Sequence, residues 1–351
     1  MFSVGIDAHK GLYAVCILDE NGKVVKERKI HGSPQELAAW PGRFRDADRP
    51  GRRPLAICFE ASLGYGTLHD ALAQVAGTIQ VAHAAQVRSI FKAKRKTDRI
   101  DARKLAKLVY FDEVPQVHVP EVEVREWRVL IEHRRRTVDR RTAAKNGLRA
   151  ILRGQGIRAP KGQRLWTKAG IQWLRDLEFE SELTALRRDQ LLTDLEHQEE
   201  AVRRVEKALD RIAARHPVVK LLRTIPGVGP RTAEAVAAYI DRPERFGSTR
   251  QVASYFGLVP SLDESGSHSR AGAITRQGPA TVRKFLIEAA WQTIRRTVLF
   301  REFFERIKGG KKERRNLALV ATARHLVRVL AAMMRSGEVW RDIEPKEVAT
   351  A

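Results

Sequence analysis

An α/β layer, then a long helical arm, then a mainly helical C-terminal region is the architecture this sequence predicts. Three observations carry that expectation. Short apolar runs alternate with amphipathic stretches up to about residue 112. Gly and Pro almost vanish between Glu121 and Arg215, except around Gly154 to Gly162. Beyond that point, apolar segments of helical period flank one glycine-rich turn.

Taken in order, residues 3–30 contain an apolar run ending in an acid (SVGID), a second run (YAVCIL), an Asn21-Gly22 turn and VVKERKI. That pattern predicts strands with a tight hairpin. A helix is expected from Pro34 to Phe44. LAICFE reads as a buried strand ending in Glu60, TLHDALAQV as a helix and TIQVAH as a short strand, which closes a first domain over residues 1–112. Residues 113–215 are dominated by Arg, Glu, Leu and Ala. An apolar stripe through Val129, Leu148, Leu152, Leu191, Leu192 and Leu195 predicts a coiled-coil arm suited to dimerising or to clamping a partner.

Residues 216–340 form the third region and 341–351 a tail. Two helical segments flank Pro226-Gly227-Val228-Gly229-Pro230, a turn like that of a helix-hairpin-helix module. In such a module Gly227 and Gly229 let amides at a helix start face a phosphate beside Arg231; a tight turn between core helices is the alternative. A polar loop is expected from Asp263 to Gly278.

Lys and Arg number 65 against 42 acids, a formal net charge of +23, while 43% hydrophobic content excludes disorder throughout. Charge of that size calls for a polyanionic partner, and nucleic acid is the commonest. Cys16 and Cys58 both sit in apolar runs, so a disulfide-framed secreted protein and a Cys-ligated zinc site are excluded. The N-terminus lacks the form of a signal peptide, and the apolar stretch Leu317 to Met334 is interrupted by Arg324, His325 and Arg328. A cytoplasmic, nucleoid-associated protein with no membrane partner is expected.

Four acids stand out by position. Asp7 and Glu60 end strands, and Asp98 and Asp101 share one helix face in KRKTDRIDARKLAKL. A phosphodiester resists attack because it is already anionic. Two Mg²⁺ ions about 4 Å apart, held by hard carboxylate oxygens, activate the attacking oxygen and stabilise the leaving one. The surrounding Lys94, Arg95, Lys96 and Arg99 suit contact with backbone phosphates. His9 borders the same centre, since strand positions two apart share a face.

GIDAHK, FEASLGYG, AAQVRSIFKAKRKTDRIDARKLA, IPGVGPRTAEAVAAYI, FGSTRQVASYFGLVPS, ESGSHSRAGAITRQG and RNLALVATARHLVRVL, in that order, resemble transposases of the insertion sequence 110 family, relatives of the Piv-type DNA invertases. The resemblance implies a RuvC-like, ribonuclease-H-type N-terminal domain. Its four-acid (DEDD) centre falls on Asp7, Glu60, Asp98 and Asp101, taken as catalytic residues and metal ligands. It further implies a C-terminal transposase domain whose serine becomes covalently joined to DNA. Family members act as homo-oligomers, here a dimer or tetramer, on element ends and target DNA, and some are guided by a structured RNA.

The serine lies in Asp263-Glu264-Ser265-Gly266-Ser267-His268-Ser269-Arg270. Ser265, followed by Gly266, fits the family pattern best and Ser267 is the second candidate, while His268 reads as a loop residue near phosphate. Arg270 and Arg276 are placed to meet the scissile phosphate. Trp127, Trp166 and Trp173 suit stacking on unpaired bases or packing along the arm. Two other readings compete with a recombinase: a RuvC-like junction resolvase that needs only the acids and water, and a non-catalytic nucleic-acid-binding protein.

Overall fold

Strands whose side chains alternate between two faces build the first third of the chain. The computed structural model describes residues 1–46, 55–62, 64–91, 97–265 and 268–342, with backbone alone for 41–46, 262–265 and 268–271. Its contacts divide the chain into two units, residues 1–122 and 123–351.

The first unit runs β1 (Phe2–His9), β2 (Leu12–Leu18), β3 (Val24–His31), α1 (Pro34–Asp46), β4 (Leu55–Glu60), α2 (Tyr65–Ala73), β5 (Thr78–Ala82), α3 (Ala84–Ile90) and α4 (Asp98–Tyr110). The sheet order is β3-β2-β1-β4-β5, with β1, β2 and β3 antiparallel and β1, β4 and β5 parallel. The expected hairpin joins β2 to β3. Asp19 Oδ1 accepts from the amides of Asn21 and Lys23, both at 2.9 Å, and Gly22 takes the left-handed turn position at φ +73°.

LAICFE is apolar throughout because β4 is covered on both sides. Ile57 and Phe59 face the helices α1 and α2 with Val4, Ile6, Val15 and Ile17, while Ala56 and Cys58 face α3 and α4. Gly5 decides how closely α4 can lie. A β-carbon there would stand 2.0 Å from the carbonyl oxygen of Ala102 and 2.3 Å from the amide nitrogen of Ala106, so only glycine lets the helix rest on β1. Both cysteines are buried free thiols, as their apolar runs predicted.

The second unit contains α5 (Val122–Gly154), α6 (Lys168–Arg175), α7 (Glu182–Ala214), α8 (Pro217–Leu222), α9 (Pro230–Ile240), α10 (Thr249–Tyr255), β6 (Pro260–Ser265), β7 (His268–Ile274), α11 (Ala280–Arg296), α12 (Val298–Lys308) and α13 (Arg315–Ser336). The helices α5 and α7, each 33 residues, run antiparallel: Arg134 meets Glu206, Lys145 meets Glu199, and Gly147 lies against Leu191. Leu148, Leu152, Leu192 and Leu195 bury as the stripe predicted, together with Leu174 of α6. Val129 does not; it is 69% exposed, because its helical position turns away from the seam. Trp127 is buried and stacks on His216, which is a packing role.

Long and apolar enough to cross a membrane, α13 is instead the central helix of the second core, with Ala318, Ala323, Leu326, Val327, Leu330 and Ala331 fully buried. The segment expected as a polar loop contains an antiparallel hairpin: Pro260 pairs with Ile274 and Ser265 with His268. Asp, Glu, Ser and Gly dominate it, so local β-propensity gave no sign of strands; hairpin closure supplies the pairing.

Candidate metal centre and serine hairpin

Period-two alternation and strand register assemble the first site. Across β1, β2 and β3 the register aligns Asp7, Ala14 and Lys29 in one row and Gly5, Cys16 and Glu27 in the next. Between the parallel strands Ile6 stands opposite Phe59, and the step beyond brings Asp7 and Glu60 to the same C-terminal edge. Asp7 shares the face of Gly5, which is the face α4 covers.

Thr97 starts α4 as its N-cap, its Oγ1 accepting from the Ile100 amide at 3.3 Å, and Asp98 and Asp101 follow in the first turn, where the helix dipole favours carboxylates. Close packing on Gly5 then sets that turn over the end of β1. The Asp7 carboxylate lies 3.3 Å from His9 Nε2, which lies 3.6 Å from Asp98. One donor atom from each of Asp7, His9 and Asp98 falls within 4.8 Å of the others. Glu60 and Asp101 stand outside that three-donor set, although Asp101 is near enough to act on Asp7.

Electrostatics at this edge favours a cation. The Asp7 carboxyl is pushed up, first by burial and then by Asp101 and Asp98, while His9 opposes the rise. The other acids hold cations of the chain itself. Lys29 Nζ lies 3.1 Å from Asp98 and draws its carboxyl below the usual range, and Lys104 Nζ lies 2.8 Å from Asp101. Arg99, expected at phosphate, is turned with Arg103 onto the shielded Glu27 of β3. Lys94, Arg95 and Lys96 lie outside the described residues.

Lys29 and Glu27 were missed in the sequence, where VVKERKI read only as a strand. Their signal was the two-residue spacing that, once registered against Gly5 and Asp7, puts both on the α4 face.

In the second unit the structure separates the roles of the glycine-rich turn. Gly227, at φ +107°, packs against α11, where a β-carbon would meet the Thr293 amide nitrogen at 2.7 Å; Gly229, the N-cap of α9, faces open space. Arg231 is turned away from solvent onto Asp210 and Glu234. Ser265 ends β6, with its side chain outside the description, and Ser267 and the Arg270 side chain are likewise outside it. Arg276 follows β7 at φ +55° and lines a pocket with Arg283, Lys284 and Arg324.

Residues 4–156 match the family model of IS110-type DEDD transposases, and residues 219–305 match that of the IS116/IS110/IS902 transposase family. Among similar proteins, a probable family 20 transposase of Pseudomonas aeruginosa is 25% identical over 346 residues, 96% of this chain and 98% of its own length. The transposase for insertion sequence element IS1111A of Coxiella burnetii is 26% identical over 83% of this chain and 78% of its own. The pilin gene-inverting protein of Moraxella lacunata is 30% identical over a shorter stretch, 33% of this chain and 36% of its own. One match covers the sheet with its acids and the other the helices around the serine hairpin, and on these grounds the chain belongs to the IS110 family of transposases, insertion-sequence enzymes that cut DNA.

Proposed function

We propose that this transposase cuts and rejoins DNA strands through a divalent-metal centre in residues 1–112 and a serine nucleophile in residues 216–340. The observation that carries the reading is the convergence of Asp7, His9 and Asp98 at one strand edge, with Asp101 and Glu60 beside them. Asp7, Glu60, Asp98 and Asp101 would hold Mg²⁺, two ions in this reading, because carboxylate oxygens are the ligands a hard dication prefers and because Asp101 and Asp98 push the partly buried Asp7 carboxyl up. Bound there, the metal would activate the attacking oxygen and offset charge on the leaving one. The strand order, with two parallel additions to an antiparallel meander and a helix bearing acids across its face, supports the RuvC-like assignment.

The chain's own residues orient and desolvate. Gly5 seats α4, Lys29 and Lys104 hold Asp98 and Asp101 in place, and the Glu27 pair with Arg99 and Arg103 fixes the first turns of α4 over the sheet. Ser265 is the nucleophile, its oxygen forming a phosphodiester bond to DNA as the strand's sugar oxygen leaves with a proton. Reversal of that exchange on a new strand rejoins the DNA. Arg270 and Arg276 meet the phosphate, and residues 113–215 act as a coiled-coil clamp within a dimer or tetramer. A structured guide RNA would supply target recognition, and the protein would work in the cytoplasm on nucleoid DNA.

The test uses the protein in cells with its own element and flanks on a plasmid. Recombination junctions and protein covalently attached to DNA are scored for wild type, Asp98→Ala and Ser265→Ala. Wild type should give both signals and each variant at least about 100-fold less of both. Normal recombination by Ser265→Ala would overturn the serine assignment in favour of Ser267 or of hydrolysis by water, and normal recombination by Asp98→Ala would overturn the metal centre.

A further inference from the structure

The second unit contains a pocket of about 890 Å³ of whose lining the proposed chemistry uses only Arg276. That volume lies within the ordinary range of ligand sites. Leu258, Ile274, Ile287 and Val320 give it an apolar floor, and Arg276, Arg283, Lys284 and Arg324 give it a cationic rim; Glu288 is the one acid among the described lining residues. A flat apolar group on a polyanionic tether satisfies both features at once, and a nucleobase on its phosphodiester strand is such a group. Asn316, also in the lining, offers an amide that both donates and accepts toward a base edge.

The rim is built rather than incidental. Arg276 sits at φ +55°, a conformation that residues with a β-carbon rarely adopt, and its surroundings enforce it. Its amide donates to the Gly257 carbonyl at 3.3 Å. A β-carbon on Gly257 would meet the Gln277 carbonyl oxygen at 2.3 Å, and one on Gly278 would meet that of Tyr255 at 2.1 Å, so the loop is pressed onto the end of α10. Arg283 Nη1 closes the arrangement by donating to the carbonyls of Phe256, Gln277 and Gly278 at 3.1, 2.5 and 3.2 Å. Burial and the neighbouring Arg276 lower the Arg283 guanidinium, which is crowding that an anion relieves.

Pro260 and Gly272 to Ile274, at the root of the β6–β7 hairpin, form one wall of the pocket, and Ser265 ends β6 five positions from Pro260. Five residues of strand span about 17 Å, the rise of about five stacked nucleotides at roughly 3.4 Å each. We infer that this pocket receives one unpaired base of the DNA strand being recombined, within about five nucleotides of the phosphate at the serine, with Lys284 and Arg324 on the flanking phosphates and Arg276 between them and the serine's phosphate. The inference rests on the reading that the hairpin serine acts on DNA.

The test measures binding of the full chain to duplexes that differ only at one central position: fully paired, a single bulged adenine, or an abasic bulge. The bulged base should bind at least fivefold more tightly than the abasic bulge, and 2-aminopurine at that position should change fluorescence on binding. Ala321→Trp, which fills the pocket from α13, should abolish the preference while leaving affinity for the abasic duplex unchanged. Arg276→Gly should raise the melting temperature, because it relieves the left-handed strain, and should weaken binding to the bulged duplex at least threefold.

Equal binding of base and abasic bulges, a preference that persists in Ala321→Trp, or a lower melting temperature for Arg276→Gly would overturn the inference. Tighter binding of the same bulge in RNA would also overturn it and would reassign the pocket to RNA. Loss of the base preference alone leaves the serine mechanism standing. Absence of binding to every duplex would remove both.

Discussion

The two units bring charge to a surface by opposite routes. At the strand edge of the first unit, carboxylates crowd together and the chain answers with its own basic side chains: His9 beside Asp7, Lys29 on Asp98, Lys104 on Asp101. Around the pocket of the second unit four cations face one acid, and one of them is held in a conformation it does not favour. At the proposed metal centre ammonium and imidazole groups thus stand against acids that would otherwise repel one another. At the proposed anion pocket Arg276 and Arg283 are held by backbone packing and backbone carbonyls, and Lys284 also lies near Asp139. In both units a glycine sets the approach of a helix, and glycine substitutions are where the comparison breaks most sharply.

The largest effect is expected at Gly5. Any side chain there collides with the backbone of α4, which cannot be relieved by trimming a neighbour, so Gly5→Val should cost about 3 kcal/mol or more and detach Asp98 and Asp101 from Asp7. Thermal melts and junction counts check it: a fall in melting temperature together with loss of junctions is expected. A variant that melts like wild type would mean that α4 does not depend on Gly5 for its seat.

The next effect separates two glycines only two residues apart. Gly227 combines a positive φ with a close approach to α11, and Gly227→Ala should cost about 2 kcal/mol. Gly229 has an extended backbone and open space around it, and Gly229→Ala should cost about 0.5 kcal/mol. Denaturant midpoints give both values. Measured DNA affinity of Gly229→Ala then sharpens the role of the turn: weakened binding at unchanged stability supports amides facing phosphate, and unchanged binding makes the turn a packing device.

Much of the first unit was legible because its signals are local. SVGID, LAICFE and the Asn21-Gly22 turn carry strand, burial and hairpin in a few residues each, and α4 begins at Asp98, where the paired acids were expected. The cations on those acids were not legible, because Lys29 reaches Asp98 across 69 residues of chain through a register that no local pattern reveals. In the second unit the arm's seam was visible at Leu148 and Leu192, whereas Val129 lay on the wrong side of a helix whose phase depends on its partner. The β6–β7 hairpin escaped for another reason: Asp, Glu, Ser and Gly carry little strand propensity, and only closure of the turn pairs them. Arg231 looked like a free cation in the sequence and is engaged by Asp210 from the preceding long helix.

A pH-dependent effect tests that buried engagement. Glu234 on α9 is 1% exposed, and burial pushes its carboxyl up to about 7; Arg231 on the same helix and Arg134 on α5 pull it down, and Asp210 on α7 pushes it further up. A carboxyl raised in the folded state favours folding fully below its ordinary value of 4.5 and loses that contribution as pH rises through about 7. Wild type should therefore lose of order 1–3 kcal/mol between pH 5 and pH 8 that Glu234→Gln, which keeps an acceptor for Arg231, does not lose. Urea midpoints of the two proteins at both pH values measure the difference. Curves that stay parallel would mean that Arg231 keeps Glu234 ionised throughout, so that the engagement is an ion pair at every pH rather than one that depends on a protonated carboxyl.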